Sequence, residues 1–116
     1  MQESLSVVLE RNTRLKGTFT TEPYEVAWAR EARWFIRVLD LAGTATRLEA
    51  TTQISPDGLH WCDLDGHQAT VREPGLVSWS AREFGGWLRL KGMVQGDTDS
   101  DEAPTVKVMI YLVLKS

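Results

Sequence analysis

The sequence is poor in the residues that build catalytic and metal centres: its 116 residues include one cysteine and two histidines. A single cysteine excludes an intrachain disulfide, which favours a reducing compartment. No apolar run approaches the roughly 20 residues of a membrane-spanning helix, and the start MQESLSVVLERN has no basic and apolar segments of a signal peptide. These absences predict a protein without membrane contact, cytoplasmic or virion-associated.

An excess of positive charge is also lacking. Thirteen basic and sixteen acidic side chains give a formal net charge of -3, which offers no electrostatic footprint for nucleic acid. The sequence contains no catalytic carboxylate pair, serine nucleophile elbow, phosphate-binding loop or dinucleotide fingerprint. It therefore predicts a non-enzymatic protein without a cofactor, and its length favours a single domain over residues 1–116.

The sequence is rich in alternation of apolar and polar residues, which is typical of half-buried strands. The segments ATRLEATTQI, WLRLKGMV and TVKVMIYLVLKS show it most clearly. Their inward positions are expected to be Thr46, Leu48, Ala50, Thr52, Ile54, Leu88, Leu90, Val94, Val106, Val108, Ile110, Leu112 and Leu114. Further strands are predicted at residues 4–9, 15–20, 24–28, 33–41, 60–64, 68–72 and 76–81, many of them separated by Gly, Pro, Asn or Asp clusters.

About eight to ten short strands in a chain of this size predict an all-β fold. The expected architecture is an antiparallel β-sandwich, either jelly-roll or immunoglobulin-like. Residues 27–32 are ambiguous, because their alanines, glutamate and arginines also favour helix. A strand is preferred there, since the β-rich flanks need a partner.

The stretch SPDG predicts a tight hairpin. Pro56 suits the first central position of a type I turn, and Gly58 suits a left-handed position that makes a bulge. A three-residue loop would pair Gln53 with Trp61 and place Trp61 on the face opposite Ile54. Trp61 would then be either a packing residue of the hairpin or part of a ligand surface.

The side of the strands that faces away from the expected core is unusually apolar. A face of this kind predicts a contact site, either between copies of the chain or with a larger protein assembly, unless another segment of the chain covers it. Its predicted members are Phe35, Leu39, Trp87, Met93, Met109, Tyr111 and Val113, interleaved with Arg37, Arg89 and Lys107. Within this set, together with Trp61, we single out Phe35, Trp87, Met109 and Tyr111 as interface or ligand residues.

An alternative function is a carbohydrate-binding module, in which Trp61, Trp79 or Trp87 stacks on a sugar ring. Weaker candidates exist for metal binding. Asp97, Asp99 and Asp101 alternate like the start of a calcium loop, but the glycine and glutamate of an EF-hand loop are missing. His60, Cys62 and His67 lack the spacing of a zinc site, so no metal is expected there.

Several of these residues also form a pattern found elsewhere. Residues 25–114 resemble small β-sandwich proteins common in phage and prophage gene sets, which carry an S-x-D-G-x-x-W hairpin and a following W-L-R-L strand. The resemblance depends on Ser55, Asp57, Gly58, Trp61, Trp87, Leu88 and Arg89. It implies a non-enzymatic structural or assembly protein, such as a self-associating capsid-decorating or tail-associated component.

Overall fold

Two antiparallel sheets make up the described part of the protein. The computed structural model describes residues 3–99 and 101–116, with side chains for all of these except residues 66–68. Its strands are β1 (Ser4–Leu15), β2 (Thr18–Thr20), β3 (Tyr24–Glu25), β4 (Glu31–Ala42), β5 (Arg47–Ser55), β6 (Cys62–Val71), β7 (Gly75–Ala81), β8 (Trp87–Gln95) and β9 (Thr105–Lys115). The all-β prediction is confirmed.

The first sheet has the order β1-β9-β4-β7 and the second has the order β2-β8-β5-β6. The short strands β2 and β3 both pair with β8, one after the other along its edge, so that together they occupy one strand position. Hydrogen-bonded pairs are nested: β5 with β6, then β4 with β7, then β2 and β3 with β8, then β1 with β9. This nesting is a double-stranded ribbon wrapped into a jelly roll, which decides between the two predicted architectures.

The core lies between the sheets and follows the predicted alternation. Of the thirteen inward positions predicted from the three clearest strands, twelve are buried, with at most 8% of the residue exposed, and Ile54 is half-buried. The central strands β4 and β9 contribute Trp34, Ile36 and their neighbours, while β5 and β8 face them from the second sheet. Burial of both layers against each other is what holds two separately amphipathic sheets together.

Residues 27–32 are not helical. Ala27 and Trp28 form a turn, in which the amide of Ala29 donates to the carbonyl of Val26, and β4 begins at Glu31. Strand pairing on both sides of β4 overrides the local helix propensity, since every backbone group of a central strand finds a partner in the ladder. The preference for a strand is therefore confirmed from residue 31 onwards.

The predicted strands 60–64 and 68–72 are one strand, β6, with a large irregularity. Gln53 pairs with Asp63 and Thr51 pairs with Gln68, so the four residues between these β6 positions stand opposite Thr52 alone. The prediction that Gln53 pairs with Trp61 is wrong by two residues. A shift of two residues keeps every side chain on its predicted face, because the side-chain direction along a strand repeats every two residues.

Candidate functional site

The outward side of the first sheet carries an apolar row that crosses three of its strands. Val8 of β1 is paired with Tyr111 of β9, which is paired with Phe35 of β4. The Tyr111 hydroxyl donates to Sδ of Met109 at 3.4 Å. The first outer face is defined here as Val8, Phe35, Met109, Tyr111 and Val113. Val8 is 38% exposed and the other four are half-buried, so a continuous apolar surface reaches solvent.

Charged side chains surround this apolar row. Arg33 lies two residues before Phe35 on β4, and its Nε donates to the Ser78 hydroxyl at 2.7 Å. A groove of about 300 Å³ lies beside Phe35 and Val113, with charged side chains along its rim. Arg33 and Lys115 contribute two of these charges, and Arg82 pairs with Glu31 at 3.5 Å. An apolar centre with a basic rim is the composition expected of a protein contact surface.

The outward side of the second sheet is different, because it contains a chain of polar contacts. The guanidinium of Arg89 lies under the Trp61 ring, with Cζ 4.2 Å from the ring centroid. Arg89 Nε donates to Gln53 Oε1 at 2.9 Å, and Gln53 Nε2 donates to Asp63 Oδ1 at 2.9 Å. The second outer face is defined here as Gln53, Trp61, Asp63, Trp87 and Arg89.

The loop before β6 positions Trp61 over this face. The Ser55 hydroxyl accepts the amides of Asp57 and Gly58, and Asp57 Oδ1 accepts the amides of Leu59 and His60. These hydrogen bonds, together with a contact of 2.7 Å from Asp57 Oδ2 to the His60 ring, hold the pKa of Asp57 well below its usual range. They build a six-residue loop in place of the predicted three-residue turn.

Gly58 brings the loop against Trp87. It has the predicted left-handed conformation, with φ of 79°. A Cβ at this position would lie 3.1 Å from two ring carbons of Trp87, so the glycine backbone packs directly on the indole. Trp87 itself pairs with Ser55 at the start of β8. The sequence motif S-x-D-G-x-x-W therefore connects the loop to both tryptophans of the second outer face.

The residues predicted to share one apolar face lie on two opposite surfaces. Phe35, Met109 and Tyr111 belong to the first outer face, whereas Trp61 and Trp87 belong to the second. Alternation shows which side of its own strand a residue occupies, but the sheet to which the strand belongs depends on long-range pairing. Their roles as interface or ligand residues stay a prediction, now divided between two sites.

Trp79 does not lie on either outer face. Its ring packs against that of Trp34 in the core, with centroids 6.4 Å apart, and its Nε1 donates to the Thr52 hydroxyl at 3.1 Å. Trp34 in turn is fully buried. A sugar platform needs an open indole face, so this geometry leaves Trp61 and Trp87 as the stacking candidates.

The weaker metal candidates do not form a cluster in the structure. Asp97, Asp99 and Asp101 are exposed, and an oxygen of Asp97 accepts the amide of Asp99. Among the described residues, no three histidine, cysteine or acidic side chains lie close enough to hold a metal ion. Cys62 is exposed, and the side chain of His67 lies outside the described residues.

Comparison with known proteins concerns the fold alone. No protein-family model and no curated protein matches the chain. Among solved structures, the PBSX exported protein XepA matches with a TM-score of 0.68 at 9% identity, covering 95% of this chain and 36% of XepA. The chain thus spans about a third of XepA.

Two further solved structures share this architecture. The SPBc2 prophage-derived protein YomS matches with a TM-score of 0.60 at 13% identity, over 100% of this chain and 96% of YomS. The VP2 subviral particle of infectious bursal disease virus matches with a TM-score of 0.55 at 12% identity, over 99% of this chain and 37% of VP2. The resemblance to phage-type β-sandwich proteins is confirmed at the level of the fold. The described residues contain no helix long and apolar enough to cross a bilayer.

Proposed function

We propose that the protein is a non-enzymatic structural component of a phage-type assembly, such as a capsid-decorating or tail-associated protein, and that it self-associates through its first outer face. The observation that carries this proposal is the row of Val8, Tyr111 and Phe35 across three hydrogen-bonded strands. No described segment of the chain covers this row. Leaving this row in water is unfavourable, because burial of apolar surface lowers the free energy by about 25 cal/mol per Å².

The charges around the row indicate how two copies would meet. Arg33, Arg37, Lys107 and Lys115 point outward on β4 and β9, although the whole chain has a net charge of -3. Stacking two first outer faces by a two-fold axis would bring these basic rims together. Contact of this face with a surface of the next copy that is neither basic nor on the outward side of the second sheet avoids this repulsion, and repeated contacts of that type generate closed rings.

The test is the mass in solution by light scattering after size exclusion, at two concentrations about tenfold apart. The wild-type protein is expected to form a discrete oligomer that persists on dilution. Tyr111→Glu is expected to weaken association by at least about 100-fold, because it places a charge in the apolar centre of the contact. Circular dichroism should show the same β-sheet content for both proteins.

Met93→Glu is the matched control for this substitution. Met93 is half-buried and points outward on β8, in the second sheet. Met93→Glu introduces the same charge as Tyr111→Glu at a similar degree of burial. The position is away from the proposed contact, so the oligomer should remain. A wild-type mass of one chain at both concentrations, or equal dissociation by the two variants, would contradict the proposal.

A further inference from the structure

Arg89 is partly buried and lacks an acidic partner, whereas the other described arginines are either paired with a carboxylate or exposed. Arg14, Arg47 and Arg82 each lie within 4.0 Å of a carboxylate oxygen, at Asp40, Glu49 and Glu31 respectively. Arg89 is partly buried, yet it makes no ion pair with any described carboxylate. Its Nε donates to Gln53, and neither terminal nitrogen has a hydrogen-bond acceptor among the described side chains.

The surroundings hold the guanidinium in one orientation. Asp63 accepts from Gln53 Nε2, and because an ionised carboxylate can only accept, the amide oxygen of Gln53 must face Arg89. Trp61 covers one face of the guanidinium at 4.2 Å. The fork of terminal N–H groups is thereby preorganised, which lowers the entropy cost of binding a bidentate acceptor.

Partial burial also affects the Arg89 charge. Desolvation lowers the pKa of Arg89, because burial disfavours the charged form. An arginine nevertheless stays protonated in proteins. A ligand anion placed against its terminal nitrogens would gain a charge-assisted pair in a partly desolvated site.

The neighbouring surface has groups that suit a polyhydroxylated ligand. A groove of about 230 Å³ on the same sheet is lined by Thr51, Thr70, Asp63, Lys91 and Glu49, among others. Lys91 lies two residues after Arg89 on β8, and so points to the same side of the sheet. Hydroxyl, carboxylate and ammonium groups are hydrogen-bond partners for sugar hydroxyls, and an indole beside them packs on sugar C–H groups.

We propose that the second outer face binds an acidic saccharide, with the sugar carboxylate on the terminal nitrogens of Arg89 and the sugar ring against Trp61. The groove beside Lys91 receives the neighbouring hydroxyl groups. This site lies on the opposite side of the sandwich from the first outer face. Ligand binding and self-association are therefore separate properties of the protein.

The experiment is titration calorimetry of the full chain with two acidic probes, trigalacturonate and 3′-sialyllactose. Neutral galactotriose and lactose are the matched controls. Trigalacturonate and sialyllactose distinguish a uronate from a sialic acid as the source of the carboxylate. At least one acidic probe is expected to bind at least about tenfold more tightly than its neutral counterpart, which corresponds to about 1.4 kcal/mol.

Two substitutions and one control substitution assign the binding to this site. Arg89→Met keeps the apolar stem of the side chain but removes the fork, and it is expected to weaken acidic-probe binding by at least about tenfold. Arg37→Met, on the first sheet, removes the same charge and should change affinity less than about twofold. Trp61 lies outside the strands, so Trp61→Leu tests how much stacking of the indole contributes to binding without removing a strand hydrogen bond.

Some results would overturn the proposal. These are binding of neither acidic probe, equal binding of the acidic and neutral probes, or unchanged binding by a folded Arg89→Met protein. The oligomer mass is measured on the same samples. Loss of binding with an intact oligomer then separates failure at this site from failure of the proposed self-association.

Discussion

The two outer faces of the sandwich are built on the same alternating pattern and have opposite chemistry. On the first sheet, the outward side chains of β4 and β9 are apolar in the centre, and few of them are held by hydrogen bonds. On the second sheet, the outward side chains of β5 and β8 form a linked chain from Asp63 through Gln53 to Arg89. The first arrangement suits a broad contact, whereas the second suits a specific ligand.

The largest expected effect on stability comes from Gly58, which has a matched control at Gly85. Both glycines have positive φ, at 79° and 77°, but a Cβ would lie 3.1 Å from the Trp87 ring only at Gly58. Gly58→Ala should therefore lower the free energy of unfolding by about 2 kcal/mol, combining strain and displacement of Trp87. Gly85→Ala should show the strain alone.

Urea unfolding followed by tryptophan fluorescence measures this difference. A shift of the Trp87 environment in the folded Gly58→Ala protein is part of the expected result. Equal losses of unfolding free energy in the two variants would mean that the contact between Gly58 and Trp87 adds nothing to stability. The loop would then not stabilise the second outer face.

A smaller effect is expected from the serines of the two faces. The Ser55 hydroxyl is buried and accepts two backbone amides, whereas the Ser78 hydroxyl accepts one hydrogen bond from the exposed Arg33. Ser55→Ala should cost about 1 kcal/mol, since it leaves two loop amides without their acceptor. Ser78→Ala should cost much less. Thermal unfolding of both variants checks the comparison, and a reversed order would contradict it.

The smallest expected effect is a pH dependence of protein stability that arises from Asp57 in the loop. The pKa of Asp57 is lower in the folded protein than its ordinary value of 3.8. A depressed carboxyl pKa stabilises the fold above the ordinary value, and this contribution is lost as the pH falls below 3.8 towards the folded value. The wild-type protein should therefore lose more stability in this range than Asp57→Asn.

Unfolding midpoints in urea from pH 5 to pH 2.5 measure this difference. The difference between the two proteins should narrow towards the acid end, where the carboxyl becomes protonated first in the unfolded wild-type chain. Parallel curves for wild type and Asp57→Asn across the whole range would show that the loop hydrogen bonds do not favour the ionised form.

Local pattern was sufficient to predict the three clearest strands and nearly all of their inward residues, but not the extents of the strands at residues 15–20, 24–28 and 60–72. Leu88, Leu90 and Val94 are buried as their alternation indicates, because neighbouring side chains of a strand point to opposite sides whatever the strand pairs with. Gly58 was likewise predictable, since few other residues tolerate a left-handed conformation in a turn. Trp61 lies on the outward side predicted for it, but it belongs to the loop before β6 and alternation along a strand does not determine its position.

The hydrogen bonds of the loop account for the error of two residues in the predicted register. Asp57 holds the amides of Leu59 and His60 and extends the loop, so β6 begins at Cys62. Turn statistics favour the shorter loop, whereas the longer one has both these hydrogen bonds and the packing of Gly58 on Trp87. The pair formed by Gln53 and Arg89, which are 36 residues apart in the chain, has no local signal that would bring the two together.

The sequence by itself therefore determined an all-β sandwich and, for its three clearest strands, nearly all of the residues that point into the core. The tertiary structure decided that the sandwich is a jelly roll, that Phe35 and Trp87 lie on opposite surfaces, and that Trp79 packs inside. The physical reason is the range of the interactions. Side-chain alternation is a property of one strand, whereas sheet order arises when strands distant in sequence pair so that both sheets bury their apolar sides together.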